Sequence, residues 1–221
     1  MKKLLIALLV PLTSTHAFAI DGNNTWRSVD VSYASMNADE SDDFEPSGFK
    51  LQGKYLLDNN FFFAGRYQNL SEDLASDLPI TLDATIEEMR LGAGYRFELS
   101  NQFDLYTLAS YYNQTTTMEV EDISLEFDAS GMACTFGGTF AITPDLEVFV
   151  ELSALELEAD VSDLETEFDV EDTESSGDMS FSETEYAIGA SYLVNNNFAL
   201  SMSYSTIDEA DVFSFGGAYY F

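Results

Sequence analysis

The sequence predicts an all-β protein: a transmembrane, antiparallel, up-and-down β-barrel of ten strands, with eight as the alternative count. Three observations carry this. Apolar and polar residues alternate with period 2 in segments of roughly eight to eleven residues along almost the whole chain. Past the N-terminal leader no run of eighteen or more apolar residues occurs, so a membrane-crossing helix is not expected. The alternating segments are joined in turn by very short polar turns and longer acidic loops, as in a closed sheet whose backbone polar groups must all bond internally in lipid.

The leader comes first. MKKLLIALLVPLTSTHAFA places Lys2 and Lys3 before an apolar run from Leu4 to Val10 and ends on Ala17-Phe18-Ala19, the pattern of a cleaved signal peptide over residues 1–19. Residues 20–221 then form one barrel domain. Six basic residues remain against forty acidic ones, a formal charge of −34. That charge disfavours nucleic acid and bare anionic membrane as partners. The only histidine, His16, leaves with the leader, and the only cysteine, Cys134, has no partner for an internal disulfide.

The short turns fall at Asp58-Asn59-Asn60, Ser100-Asn101-Gln102, Thr143-Pro144-Asp145 and Asn195-Asn196-Asn197. Four turns at one end imply ten strands with both termini at that end. The period assigns an outer face to each strand: Val29, Val31 and Tyr33 in the first; Phe49, Leu51 and Tyr55; Phe61, Phe63 and Tyr67; Met89, Leu91, Tyr95 and Phe97. In the strand Phe103–Tyr112, Leu105, Thr107, Ala109 and Tyr111 compete with Tyr106, Leu108 and Tyr112, and the outer face stays open. The series resumes with Met132, Cys134, Phe136 and Phe140; the even positions Leu146 to Leu152; Tyr186, Ile188 and Tyr192; Phe198, Leu200, Met202 and Tyr204; and Phe213, Phe215, Tyr219 and Phe221.

The segment LEVFVELSALELEAD, residues 146–160, locates a solvent boundary. Leu146 to Ala154 is about the length a tilted strand needs to cross the hydrocarbon, after which the outward positions become Glu156, Glu158 and Asp160. Beyond the boundary it is the inward residues that are apolar. An upper apolar lumen is therefore expected from Ile80, Leu82, Ile86, Met118, Val120, Ile123, Leu125, Phe127, Leu155, Leu157, Met179 and Phe181, inside a barrel that extends past the membrane on the extracellular side. It reads either as packed closure or as a pocket for a hydrophobic small molecule.

At membrane depth the inward positions carry Lys50, Lys54, Arg66, Arg90 and Arg96, with Asp30, Asp104, Glu147, Glu151 and Glu185 on other strands. A ten-stranded barrel is narrow enough for opposite walls to meet. This charge network is either a paired plug or a narrow polar path with Arg66 and Arg90 at its constriction.

Residues 159–182 are rich in carboxylates without calcium-loop spacing, so no metal or cofactor site is expected; loosely shared divalent cations are possible partners. Enzymatic readings lack a general base, because no imidazole remains in the mature chain. Cys134 is expected to face lipid as an unreactive small hydrophobe.

The chain ends in VFSFGGAYYF, with Phe213, Phe215, Tyr219 and Phe221 on one face; DNNFFFAGRY, LGAGYRF and GGTFAITPDLEVFVEL repeat a strand–turn–strand pattern. In these motifs residues 25–221 resemble the small outer-membrane β-barrel family of Gram-negative bacteria, the OmpA/OmpX-like or porin-family domains. The resemblance implies an aromatic C terminus read by the barrel-assembly machinery; the barrel is expected to be a monomer held in outer-membrane lipid and lipopolysaccharide. The expected role is structural or surface interaction, with a narrow channel or uptake conduit for small or hydrophobic solutes as the alternative; such a family sets fold more firmly than function.

Overall fold

The computed structural model describes residues 24–38, 44–75, 81–120, 123–161, 179–207 and 210–221. A short 3-10 turn, Asn24–Trp26, precedes ten strands: β1 (Arg27–Ala38), β2 (Ser47–Leu56), β3 (Phe61–Ala75), β4 (Thr81–Ser100), β5 (Phe103–Val120), β6 (Ile123–Thr143), β7 (Leu146–Val161), β8 (Met179–Leu193), β9 (Phe198–Ile207) and β10 (Ala210–Tyr220). Each strand pairs antiparallel with its chain neighbour, and β1 pairs with β10, so the sheet closes as an up-and-down barrel. The four short connections fall where the polar turns predict. In the first, Asn60 takes a left-handed φ of 66°, a conformation Asn tolerates better than most residues.

Alternation places side chains as the sequence implies. Val31, Tyr33, Leu91, Phe136, Val150, Ile188, Leu200 and Phe215 are exposed on the outer wall, while Ser32, Ala34, Arg90, Ala133, Ser153, Glu185 and Ser214 are buried inside. An outer wall this apolar suits hydrocarbon rather than water. Aromatic contacts ring the short-turn end: Phe61 against Tyr95 at 5.1 Å, Tyr95 against Phe97 at 4.9 Å, and Phe198 against Tyr219 at 5.0 Å. At the other border Tyr67 and Asn69 both donate to Glu87 Oε1, at 3.1 and 2.7 Å, where the outer wall turns polar.

The strand left open by the sequence is settled by its neighbours. Tyr106, Ser110 and Tyr112 of β5 are buried in the lumen, and Thr107, Ala109 and Tyr111 face out. Tyr106 fits inward because its register partner on β6 is Gly137; a β-carbon there would overlap the phenol ring. The same arrangement pairs Phe62 with Gly94 and Phe149 with Gly189. In a lumen this narrow, each large ring occupies the volume its register partner gives up.

The wall is uneven. β4, β5 and β6 have 20, 18 and 21 residues, whereas β1, β2, β9 and β10 have 12, 10, 10 and 11. β7 continues to Val161 and β8 begins at Met179, so both ends of the acidic segment read as residues 159–182 belong to strands; its middle lies outside the described residues, as does the leader.

Candidate functional site

The lumen holds the polar chemistry of the barrel. Arg66 on β3 and Arg90 on β4 are register partners, so two guanidinium groups enter it side by side. Like charges so placed repel. Two carboxylates offset that repulsion. Glu88 Oε1, two residues along β4, lies 3.0 Å from Nε of each arginine. Glu185 on β8 takes the other edge: its Oε1 accepts from Arg66 Nη1 and Nη2 at 3.3 Å, and its Oε2 accepts from Arg90 Nη1. The Arg90 guanidinium also lies 4.8 Å from the centre of the Tyr112 ring. Both arginines and both glutamates are largely shielded from solvent.

On the short-turn side of this crossing the lumen widens into a polar chamber of about 100 Å³, lined by Asp30, Lys50, Lys54, Arg66, Glu147, Glu151 and a set of serines. A second cavity of about 80 Å³ runs beside Lys54, Arg66 and Arg90. Lys50 Nζ donates to Ser203 Oγ at 3.1 Å and Ser214 Oγ at 2.6 Å, and Asp30 accepts from Ser32 and Ser201. Tyr106 donates its phenolic proton to Glu151. The chamber wall is therefore internally bonded, as buried polar groups require.

Toward the short turns stands an aromatic cluster. Trp26, only 1% exposed, packs with Leu56, Phe62 and Tyr106. Its indole Nε1 donates to Asp104 Oδ2 at 2.9 Å. Lys54 Nζ lies 5.4 Å from the Trp26 ring centre and Arg96 Cζ 5.9 Å. Arg96 pairs with Glu98 at 2.7 Å and stands 3.7 Å from Asp104.

On the long-loop side, Leu155 and Leu157 pack with Tyr112 and Ala133, and Ile86 is buried nearby. Leu70 forms a separate group with Ala34 and Val212. Met118 and Leu125 are half-buried. Phe127 and Phe181 occupy inward registers but are each 39% exposed. Ile80 lies outside the described residues; Leu82, Val120, Ile123 and Met179 are placed in their strands by backbone alone.

The lumen thus brings together Arg66, Arg90 and Glu185 in one cluster, Asp30 and Lys50 in one wall, and Arg96 and Asp104 beside Trp26. Sequence reading passed over Glu88, although its parity between Ile86 and Arg90 is inward. It passed over Trp26 for a different reason: the residue precedes the first strand, where no period exists to place it. Cys134 is exposed on the outer wall, as its register requires.

Comparison with known proteins agrees with this architecture. The model of the outer membrane protein beta-barrel domain family matches residues 5–166, well over half of the chain. No curated protein matches it by sequence. Among solved structures it is similar to the outer membrane protease OmpT from Escherichia coli, at 10% identity and a TM-score of 0.55, over 88% of this chain and 96% of that one. It is also similar to the translocator domain of autotransporter NalP from Neisseria meningitidis, at 15% identity and a TM-score of 0.48, over 91% of each chain. A third similarity is to Ail, the attachment invasion locus protein of Yersinia pestis, at 14% identity and a TM-score of 0.38, over 87% and 94%. The likeness to OmpT is one of fold. With its ten strands closed in up-and-down order and that family model matched, the chain belongs to the outer membrane protein β-barrel domain family and is a small protein of the outer membrane.

Proposed function

We propose that this protein is a sealed, monomeric barrel with a structural or surface-interaction role. One observation carries the reading: Arg66 and Arg90 bridge to Glu185 across the lumen. In this reading the paired crossing closes the lumen to solutes. In this reading residues 1–19 are removed on export, and the tall half of the wall, β4–β7, stands clear of the membrane with Glu87, Glu126, Glu156 and Glu158 outermost. These carboxylates and the acidic loops face lipopolysaccharide, where divalent cations shared with its phosphates offset the mutual repulsion. The aromatic C terminus serves the barrel-assembly machinery. No catalytic role is assigned, since the domain offers no imidazole.

Planar-bilayer recording tests the reading. The wild-type barrel is expected to stay silent under an applied voltage; reproducible conductance steps that change with Arg66→Ala or Arg90→Ala would replace it with the second reading, a narrow conduit for small solutes. The two cavities flanking Arg66 are what favour that alternative.

A further inference from the structure

The two ladders of β8 differ in length. On the β9 side pairing reaches only Glu185 against Ile207, whereas on the β7 side it continues to Met179 against Ala159. Among the described residues no strand borders β8 beyond Glu185 on the β9 side. At this step lies a groove of about 390 Å³, lined by Ser182, Glu183, Thr184, Tyr186 and Thr206. That volume falls in the range of small-molecule sites. Register fixes its height. Tyr186 stands against Leu152, Thr184 against Ala154 and Ser182 against Glu156, so the groove straddles the line where the outer face of β7 passes from apolar to acidic. On the other side Thr206 stands against Asp211. Ile188 and Tyr204 continue the apolar band toward the short turns. This is the level at which lipid head groups meet the wall.

The lining selects among head groups. Three hydroxyls, a phenol and a carboxylate present oxygen alone. No ammonium or guanidinium stands near, because the six basic residues beyond the leader are Arg27, at the short-turn end, and Lys50, Lys54, Arg66, Arg90 and Arg96, in the lumen. A phosphate therefore meets no cationic side chain on this wall, and Glu156 and Asp211 at the groove's borders repel it. A sugar ring fits the same lining: its hydroxyls exchange hydrogen bonds with serine, threonine and carboxylate oxygens. Its C–H face suits the ring of Tyr186, which is 57% exposed at the border. We propose that this groove binds the saccharide part of an outer-leaflet glycolipid, by its hydroxyls and not by its phosphates. The assignment gives the surface-interaction reading a partner and rests on it, but it does not depend on closure of the lumen or on bridging cations.

The test titrates the full mature barrel, in amine-oxide micelles whose head group carries no sugar, with purified rough lipopolysaccharide in the presence of EDTA. Native mass spectrometry counts the lipid retained. Thr184→Val combined with Thr206→Val removes two hydroxyls at nearly constant volume and should weaken retention about tenfold. Thr184→Ser keeps its hydroxyl and should stay at parent affinity. Equal retention by the double variant and the parent would overturn the groove, and so would phosphatidylethanolamine held equally well. Core oligosaccharide freed of its lipid and bound as tightly as the whole molecule would overturn the glycolipid assignment in favour of a soluble sugar. Retention that appears only when magnesium replaces EDTA would remove the groove and leave the cation-bridged carboxylates standing; retention indifferent to EDTA but lost in the double variant would do the reverse. Persistence of the compact, unheated electrophoretic band shows that each variant is folded.

Discussion

Arg66 on β3 meets Glu185 on β8 at 3.3 Å, although 119 residues separate them and the two strands lie five positions apart in either direction around the barrel. The pair spans the full width of the lumen. A contact across a diameter ties opposite walls together and makes the cross-section depend on a few side chains.

Loss of one partner should therefore cost more than loss of the set. Glu185→Ala leaves Arg66 and Arg90 side by side with Glu88 alone, and should destabilise the refolded barrel by about 3 kcal/mol. The combined replacement of Arg66, Arg90, Glu88 and Glu185 by apolar residues of similar volume should recover most of that loss. Urea unfolding in liposomes measures both; equal destabilisation in the single and quadruple variants would contradict the compensation described.

The ring-against-glycine pairs make a second prediction. Gly137→Ala places a methyl group into the Tyr106 ring and should destabilise by about 1–3 kcal/mol, through overpacking. In a Tyr106→Ala background the same change should cost far less, and a double-mutant cycle reads the difference as coupling. Additive effects would mean that Tyr106 relocates without strain.

Charge on the outer wall should be graded by depth. Leu200→Arg, in the apolar band, is expected to cost about 2–4 kcal/mol, whereas Glu156→Arg, past the boundary on β7, should be nearly neutral. Reversible unfolding in bilayers of defined thickness gives both values. A large penalty at position 156 would move the boundary.

The C-terminal residue closes the seam. Phe221 N donates to Arg27 O at 3.0 Å, and its ring stacks with Tyr55 and Tyr219, each at 6.3 Å. Phe221→Ala should lower the yield of assembled barrel in cells more than it lowers stability after refolding with detergent, where no assembly machinery acts. The heat-modifiable band in membrane fractions, set against in vitro unfolding, separates the two effects.

Much of this was legible before any coordinates. Period 2 is a local consequence of strand stereochemistry, so the sequence by itself determined which residues face out in every strand but Phe103–Tyr112, pointed to ten strands over eight, and marked where Glu156 ends the apolar band. It also determined that Arg66, Arg90 and Glu185 point inward. Parity says nothing of what a side chain meets there. That Glu185 bridges two arginines, that Glu88 joins them, and that Tyr106 turns inward because Gly137 leaves room were decided only when ten strands closed in one register, since each depends on residues far apart in the chain. Trp26 lies beyond the reach of periodicity altogether: a residue outside the sheet is placed by the space it fills, and that space exists only once the barrel has closed around it.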